Sequence, residues 1–436
     1  MSDRQGQFLL SATIMGLGMH LAAWMARDGS AADYVDVGMY QQIARTAEEG
    51  KLHAVFLADT LTNAEEGVDR PALGALDPAI LLMSMGAVTE HVGLVGTAST
   101  TFNEPFDLAR RFATLDHLSG GRAAWNAVTT FVPAVAENFG GRVLPDRDQR
   151  YDRADEFVRV VLDLWESWKE GALVGDKGSG TFADPDLVRP IDHVGKHFSV
   201  RGPLTLPRTP QGRPALFQAG SSPAGRALAA RYADVVFTAQ NLPDAASEFR
   251  ADVRARASAY GRDPDRVKVM PGLLPILGGT EREARDRKAM LDEFAGTGPE
   301  LGKLARRIGI PVELLDLDKP IPVDLLCPEE EFTGSLGFRR AAVRLATEEN
   351  LTVRELLLRN GGGHLQIVGT PEQVADTMET WVEAGAADGF NLMIDIVPSG
   401  LEDVVKMLVP ELQGRGVFHR DYEHVQLRKN LGVADD

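Results

Sequence analysis

Residues 92–128 read VGLVGTASTTFNEPFDLARRFATLDHLSGGRAAWNAV, and this stretch decides the fold. It opens with an apolar run, Val92 to Thr97, turns a polar corner, and enters an amphipathic segment, Pro105 to Leu118, that ends at Gly120 and Gly121. Proline suits the first turn of a helix, where its missing N–H leaves nothing unpaired, and glycine suits the position just past the end. A second apolar run, Ala123 to Val128, follows at once. Strand, helix, strand with short joints is the unit of a parallel sheet.

The same alternation extends along the chain in both directions. Further candidate strands are Phe8 to Met15, Ala54 to Ala58, Ala215 to Ala219, Asp234 to Phe237, Val267 to Ile276 and Phe390 to Ile396. Helical patterns lie between them: Val37 to Glu49, Pro78 to Thr89 behind an Asp77 cap, Asp152 to Lys169, Pro223 to Tyr232 and Asp244 to Tyr260. Eight βα units predict one α/β domain over residues 1–436, a (β/α)8 TIM barrel whose ligand site lies at the carboxyl ends of the strands. Two stretches interrupt the repeat. Residues 171–213, rich in Gly, Pro and Asp, follow the fourth helix and read as a surface insertion. Residues 278–369 follow the seventh strand and carry charged helical patterns, Glu281 to Phe294 and Phe338 to Leu358. An insertion in a βα loop emerges on the active face, so this one is expected to act as a lid.

Composition narrows the function classes. With 44% hydrophobic residues the chain buries a large core, and 46 basic against 63 acidic residues give a net charge of −17. That charge repels phosphate backbones and anionic membranes, so nucleic-acid and membrane partners are not expected, and any anionic ligand needs local geometry to hold it. The single cysteine, Cys327, rules out an internal disulfide and any Cys-rich metal site. Phe8 to Met19 is apolar, but Gly16 and Gly18 break it and no small-residue cleavage site follows, so it is not read as a signal peptide. No segment reaches the roughly 18 uncharged apolar residues of a membrane span. The expected location is the cytoplasm.

Walker A, G-x-G-x-x-G, H-E-x-x-H and G-x-S-x-G patterns are missing from the chain. What remains is polar residues just past predicted strands, aimed by the barrel at one cavity. His20 follows the first strand beside Trp24. A histidine near an aromatic is more often a packing residue, but its place at a strand end makes it a candidate catalytic group. Asp59 follows the second strand, as a loop cap or as an acceptor for donors on a heterocycle or ribityl chain. Thr97, Ser99, Thr100, Thr101 and Asn103 crowd the end of the third strand, where one hydroxyl alone would be an ordinary helix cap. Asn126 lies within the fourth strand, where an amide needs a hydrogen-bond partner. Gln218-Ala219-Gly220-Ser221-Ser222-Pro223-Ala224-Gly225 opens the helix after the fifth strand. Its small residues, hydroxyls and helix N-terminus suit a phosphate.

The run from Thr97 to Phe112, Leu115 to Arg122, Trp125 to Thr130, Arg150 to Phe157, Gln218 to Ser222, and Val368 to Asp376 with Gly389 to Met393 closely resembles the nitrilotriacetate monooxygenase component A family. That family is a branch of the bacterial luciferase-like flavin monooxygenases. The resemblance spans nearly the whole chain. It implies a barrel that binds FMN noncovalently, in reduced form, delivered by a separate NAD(P)H:flavin oxidoreductase. Molecular oxygen would then form a C4a-(hydro)peroxyflavin that oxygenates a small organic substrate. By position, Asp59 and Thr97 match residues contacting the flavin, Tyr151 and Ser222 match phosphate-binding residues, and Ser221, Asn126 and His20 fall among pocket neighbours. Members often carry His four residues before the Tyr and Arg after the early Trp; here stand Arg147 and Met25. Arginine at 147 would bind phosphate at least as well. His20 is expected near the flavin's reactive edge and His364 on the lid side, and a homodimer is expected. The rival readings are an F420-dependent hydride-transfer enzyme on the same barrel and a noncatalytic flavin-binding protein.

Overall fold

The computed structural model describes residues 7–63, 76–141 and 143–434. The barrel strands, numbered along the chain, are β1 (Leu9–Ile14), β2 (Ala54–Leu57), β3 (Gly93–Ser99), β4 (Ala123–Val128), β5 (Ala215–Gln218), β6 (Val235–Thr238), β7 (Lys268–Leu277) and β8 (Gly389–Met393). All pairings among them are parallel, and the contacts β8–β1 and β6–β7 close the ring. The fold is the predicted (β/α)8 barrel. Three helices coincide with their sequence patterns: Val37–Glu49, Pro105–Leu118 and Pro223–Tyr232. The fourth begins earlier than the predicted Asp152. It runs Arg147–Trp165 because Asp146 caps it, accepting a hydrogen bond from the Gln149 N–H at 2.8 Å. The second ends at Gly86 rather than Thr89, whose hydroxyl turns back onto Met85 O.

Side chains alternate across each strand, and the alternation sorts the core into two layers. Inside the barrel, Leu9, Ala54, Phe56, Val95, Ala124, Phe217, Val235 and Met270 pack together. Outside it, Trp125 is fully buried among Phe112, Phe157 and Trp165 under the helices. Asn126, one residue on, therefore points inward, in register with Thr97 on β3 and Phe217 on β5.

Residues 171–213 hold two short antiparallel hairpins, Leu173–Asp176 with Thr181–Ala183 and His193–Val194 with Ser199–Val200. Glu156 clamps the second, accepting from His193 Nε2 and from the His197 and Phe198 N–H groups at 2.9–3.0 Å.

The long insertion after β7 carries helices Glu281–Ala295, Thr297–Ile308, Leu336–Glu348 and Val353–Leu358. The single pattern read over Phe338 to Leu358 is two helices, parted where Asn350 takes a φ of 51° and Thr352 starts a capping box with Glu355. The later helices share an apolar core of their own, including Leu304, Ile308, Ile321, Leu345 and Leu356. The insertion ends in a strand the periodicity did not predict, Leu365–Gly369. Strand β7 is long enough to hold two partners in tandem along one edge. Lys268 to Pro271 pair with β6, and Leu273 to Leu277 pair with Leu365–Gly369, while Leu273 keeps Leu392 of β8 on its other side. The barrel wall above β6 is thus built from the insertion. No helix among the described residues is long and apolar enough to cross a membrane.

Candidate active site

Five βα corners converge at the carboxyl end of the barrel. At β1, Thr13 points inward, in register with Phe56, and its hydroxyl is buried without a partner. Sequence reasoning passed over it, although Ser11 and Thr13 at alternate positions of an apolar strand were a usable sign. Past β1 the chain bends at Gly18, where a Cβ would lie 2.3 Å from Asp395 O. His20 follows, and both its ring nitrogens are engaged: Nδ1 accepts from the Ala22 N–H at 3.2 Å and Nε2 faces Asp292 Oδ1 at 3.4 Å. Asp292 belongs to the insertion helix Glu281–Ala295, so His20 is tied to that helix.

At β2, Asp59 is half-buried, and its own burial with the nearby Asp77 carboxylate pushes it up to about 6. The hydroxyl run after β3 divides its work. Ser99 Oγ pairs with Thr130 Oγ1 at 2.7 Å, Thr100 Oγ1 donates to Val128 O at 3.1 Å, and Asn103 Nδ2 donates to Ser99 O at 2.8 Å. These three knit the β3–β4 corner. Thr101 Oγ1 stays buried without a partner. Asn126 donates its Nδ2 to Thr97 Oγ1 at 2.9 Å, which leaves Asn126 Oδ1 buried and unpaired, facing the barrel interior.

After β5 the chain makes a glycine-lined cradle. A Cβ on Gly220 would meet Gln218 Nε2 at 2.4 Å, Tyr151 Oη at 2.8 Å and Gly225 Cα at 3.0 Å, and one on Gly225 would also meet Tyr151 Oη at 2.9 Å. The Tyr151 hydroxyl rests against both glycines and makes no hydrogen bond among the described residues. Ser222 caps the following helix through the Gly225 N–H at 3.1 Å, and Ser221 Oγ pairs with Thr238 Oγ1 at 3.1 Å. Arg147 lies one helical turn before Tyr151, but its guanidinium donates to the insertion, to Glu329 O at 3.2 Å and Phe332 O at 2.6 Å.

His364 enters from the start of the strand Leu365–Gly369. It stacks on Phe237 of β6 with ring centroids 5.1 Å apart, and Phe338 meets it edge-on at 5.0 Å. A Cβ on Gly272 would fall 2.2 Å from its Nδ1, so only glycine leaves room for the imidazole. Its Nδ1 is buried and unpaired, and burial aided by the Arg307 cation pushes it down to about 3, so the ring is neutral at pH 7.

No ligand is needed to see what this site suits. Small residues, hydroxyls and a helix N-terminus meet at the corner after β5, a combination that suits an anion, and buried polar atoms on Thr13, Thr101, Asn126 and His364 carry no hydrogen bond. A phosphate-bearing heterocycle such as FMN meets both demands. No cluster of metal-ligating side chains occurs among the described residues.

A parallel barrel with a glycine-lined corner after β5 and buried polar groups toward the carboxyl ends of its strands has the architecture of a barrel enzyme. The family model for luciferase-like monooxygenases matches residues 19–388, and the chain belongs to that family as a flavin-dependent monooxygenase. It is similar to N-acetyl-S-(2-succino)cysteine monooxygenase of Bacillus subtilis (strain 168), 41% identical over 99% of this chain and 98% of that one. It is also similar to nitrilotriacetate monooxygenase component A of Aminobacter aminovorans, 43% identical over 96% and 94% of the two chains. Among solved structures, EDTA monooxygenase from Chelativorans sp. BNC1 superposes with a TM-score of 0.81 at 34% identity, covering 98% of each chain.

Proposed function

We propose that this protein is the oxygenase half of a two-component system, taking reduced FMN from a separate NAD(P)H:flavin oxidoreductase and oxygenating a small organic molecule. The observation that carries the reading is the pairing of the Gly220–Gly225 cradle with unpaired polar atoms on inward-facing positions. In this reading Ser221, Ser222 and Tyr151 hold the phosphate, and Asp59, Thr97, Ser99 and Asn126 orient the ring and ribityl chain. When bound, reduced FMN supplies the electrons that activate dioxygen. The chain supplies the dry, shaped surroundings. His20 stands at the rim, its tautomer set by Ala22 N–H and Asp292, and His364 presents a neutral imidazole to the cavity. A supply of reduced flavin drawn from NAD(P)H fits a cytoplasmic enzyme. The test is oxygen consumption by the purified protein with FMN, NADH and a flavin reductase, across sulfones, amines, ketones, organic acids and alkanes. Substrate-stimulated uptake that needs both FMN and the reductase is expected. Hydride transfer from F420 without oxygen uptake would sink the reading.

The insertion is proposed to cover this pocket. Gly337 sits so close to Ser221 that a Cβ on it would lie 2.9 Å from Ser221 Oγ, and Asn241 Nδ2 holds Gly362 O and Gly363 O at 3.1 and 2.9 Å. Replacing the stretch between Thr297 and Leu358 with a short Gly/Ser linker is expected to preserve FMN binding and to raise hydrogen peroxide released per oxygen consumed. Unchanged coupling would make the insertion something other than a cover.

Asp59 gives a pH signature. Its folded value of about 6 lies above the ordinary 3.8, so the folded protein holds this proton more tightly than the unfolded chain. Raising the pH through that window therefore works against folding at this site. The stability of the apo protein relative to Asp59→Asn is expected to fall between pH 3.8 and about 6, measured by urea midpoints of both proteins. A flat or rising difference would show that Asp59 is ordinarily hydrated.

A further inference from the structure

A cavity of about 250 Å3 opens at the amino end of the barrel, on the opposite face from the candidate active site. Its lining includes the starts of several strands: Leu9 of β1, His53 just before β2, Lys268 of β7 and Asp388 just before β8. Phe8, Val382 and Leu431 give it apolar walls. Lys268 is half-buried here, and its ammonium makes no hydrogen bond and no ion pair among the described residues. The two carboxylates that act on it from a distance, Asp388 and Asp265, are already committed to arginines. Asp388 accepts from Arg250 Nε and Nη2 at 3.0 and 2.6 Å and from the Val269 N–H at 2.8 Å, and Asp265 pairs with Arg254. Burial is the main influence on the amine and holds it below the usual lysine value, with the Arg254 and Arg250 cations pushing the same way. A lysine desolvated beside other cations is nucleophilic, because more of it is free amine at a given pH.

Two imidazoles line the same cavity and stack on each other, with centroids 4.5 Å apart and planes 13° from parallel. His419 Nε2 donates to Lys51 O at 2.6 Å, so its Nδ1 is an acceptor, and burial lowers the ring's affinity for a second proton. His53 Nδ1 accepts from the Leu10 N–H at 3.2 Å, so its Nε2 carries the proton. Glu423, exposed at the rim, is the remaining carboxylate of the lining. An amine, a ring donor and a ring acceptor around a space with apolar walls are the groups that addition to a carbonyl uses.

We propose that this pocket takes a small neutral aldehyde, which Lys268 holds as a reversible imine. The amine nitrogen adds to the carbonyl carbon, both of its hydrogens pass to the oxygen with His419 Nδ1 as relay, and the oxygen leaves as water. A C=N bond replaces C=O, and nothing is oxidised or reduced. The inference does not depend on the flavin reading. In the test, the full-length protein is treated with butyraldehyde and sodium cyanoborohydride, which traps the imine as a secondary amine, and each lysine is followed by peptide mass spectrometry. Lys268 is expected to label at least tenfold faster than the exposed Lys177, with its rate rising at a lower pH. Unfolding in urea is expected to erase the difference. His419→Gln is expected to slow Lys268 at least threefold and to leave Lys177 unchanged. The proposal falls if Lys268 stays below the tenfold ratio, if its advantage persists in urea, or if His419→Gln leaves its rate unaltered. The comparison of the two lysines in the unmodified protein decides the matter even if the variant does not fold.

Discussion

Gly220→Ala is expected to weaken FMN a hundredfold or more, about 2.7 kcal/mol, while riboflavin loses less. The added methyl would sit 2.4 Å from Gln218 Nε2 and 2.8 Å from Tyr151 Oη, both of which can swing away, but also 3.0 Å from Gly225 Cα, which is backbone and cannot. The cradle narrows and Tyr151 leaves it. Ser222→Ala and Tyr151→Phe remove single bonds to the same anion, so each is expected to cost about 1–2 kcal/mol of FMN affinity. Ser222 also caps a helix, so its variant is to be compared at a temperature where both proteins are fully folded. Quenching of flavin fluorescence on titration reads all three. Equal losses for FMN and riboflavin would move the phosphate elsewhere.

Arg122→Ala is expected to cost about 3–5 kcal/mol of stability, the scale for stranding buried polar partners of a lost charge. The side chain is 3% exposed and has no acidic partner at hydrogen-bond distance among the described residues. All five of its N–H groups are spent on the chain around it. Nε donates to Ser119 O, Nη1 to Thr89 Oγ1 and Val92 O, and Nη2 to Gly86 O and Thr89 O, at 2.7–3.0 Å. It thereby ties the ends of helices Pro78–Gly86 and Pro105–Leu118 to the start of β3, at the amino end of the barrel. That end serves stability rather than chemistry. Arg122→Lys is expected to recover little, since an ammonium cannot reproduce the planar fork. Urea unfolding followed by circular dichroism checks this, and a loss below about 1 kcal/mol would mean that water replaces the fork.

All eight barrel strands were legible in the sequence because their periodicity and punctuation are local properties. The strand Leu365–Gly369 was not, since five residues including Gln366 become a strand only when the upper half of β7 offers an edge. The start of the helix at Arg147 was hidden because its first turn is polar, and the Asp146 cap was the overlooked sign. Of the candidate site, the inward place of Asn126 and the tight turn at Gly220–Ser222 were legible from residue type and position. Arg147 was read as a phosphate donor, and the structure gives its terminal nitrogens to Glu329 and Phe332 carbonyls, contacts spanning more than 180 residues that no local pattern encodes. The Asp292 partner of His20 and the fit of His364 over Gly272 are likewise meetings of distant segments.

The insertion is fastened at both ends and, between them, meets the barrel at Arg147 and Ser221. At its entry, Arg287 pairs with Asp395 and Asp403, and at its exit Leu365–Gly369 is hydrogen-bonded to β7. The residues between Thr297 and Leu358 keep a core of their own. On the proposed reading such a block is an exchangeable cassette: swapping it between relatives at these two borders would transplant the proposed pocket cover onto an unaltered barrel. Diversification of substrates could then proceed by recombination of one segment, without retuning the chemistry beneath it.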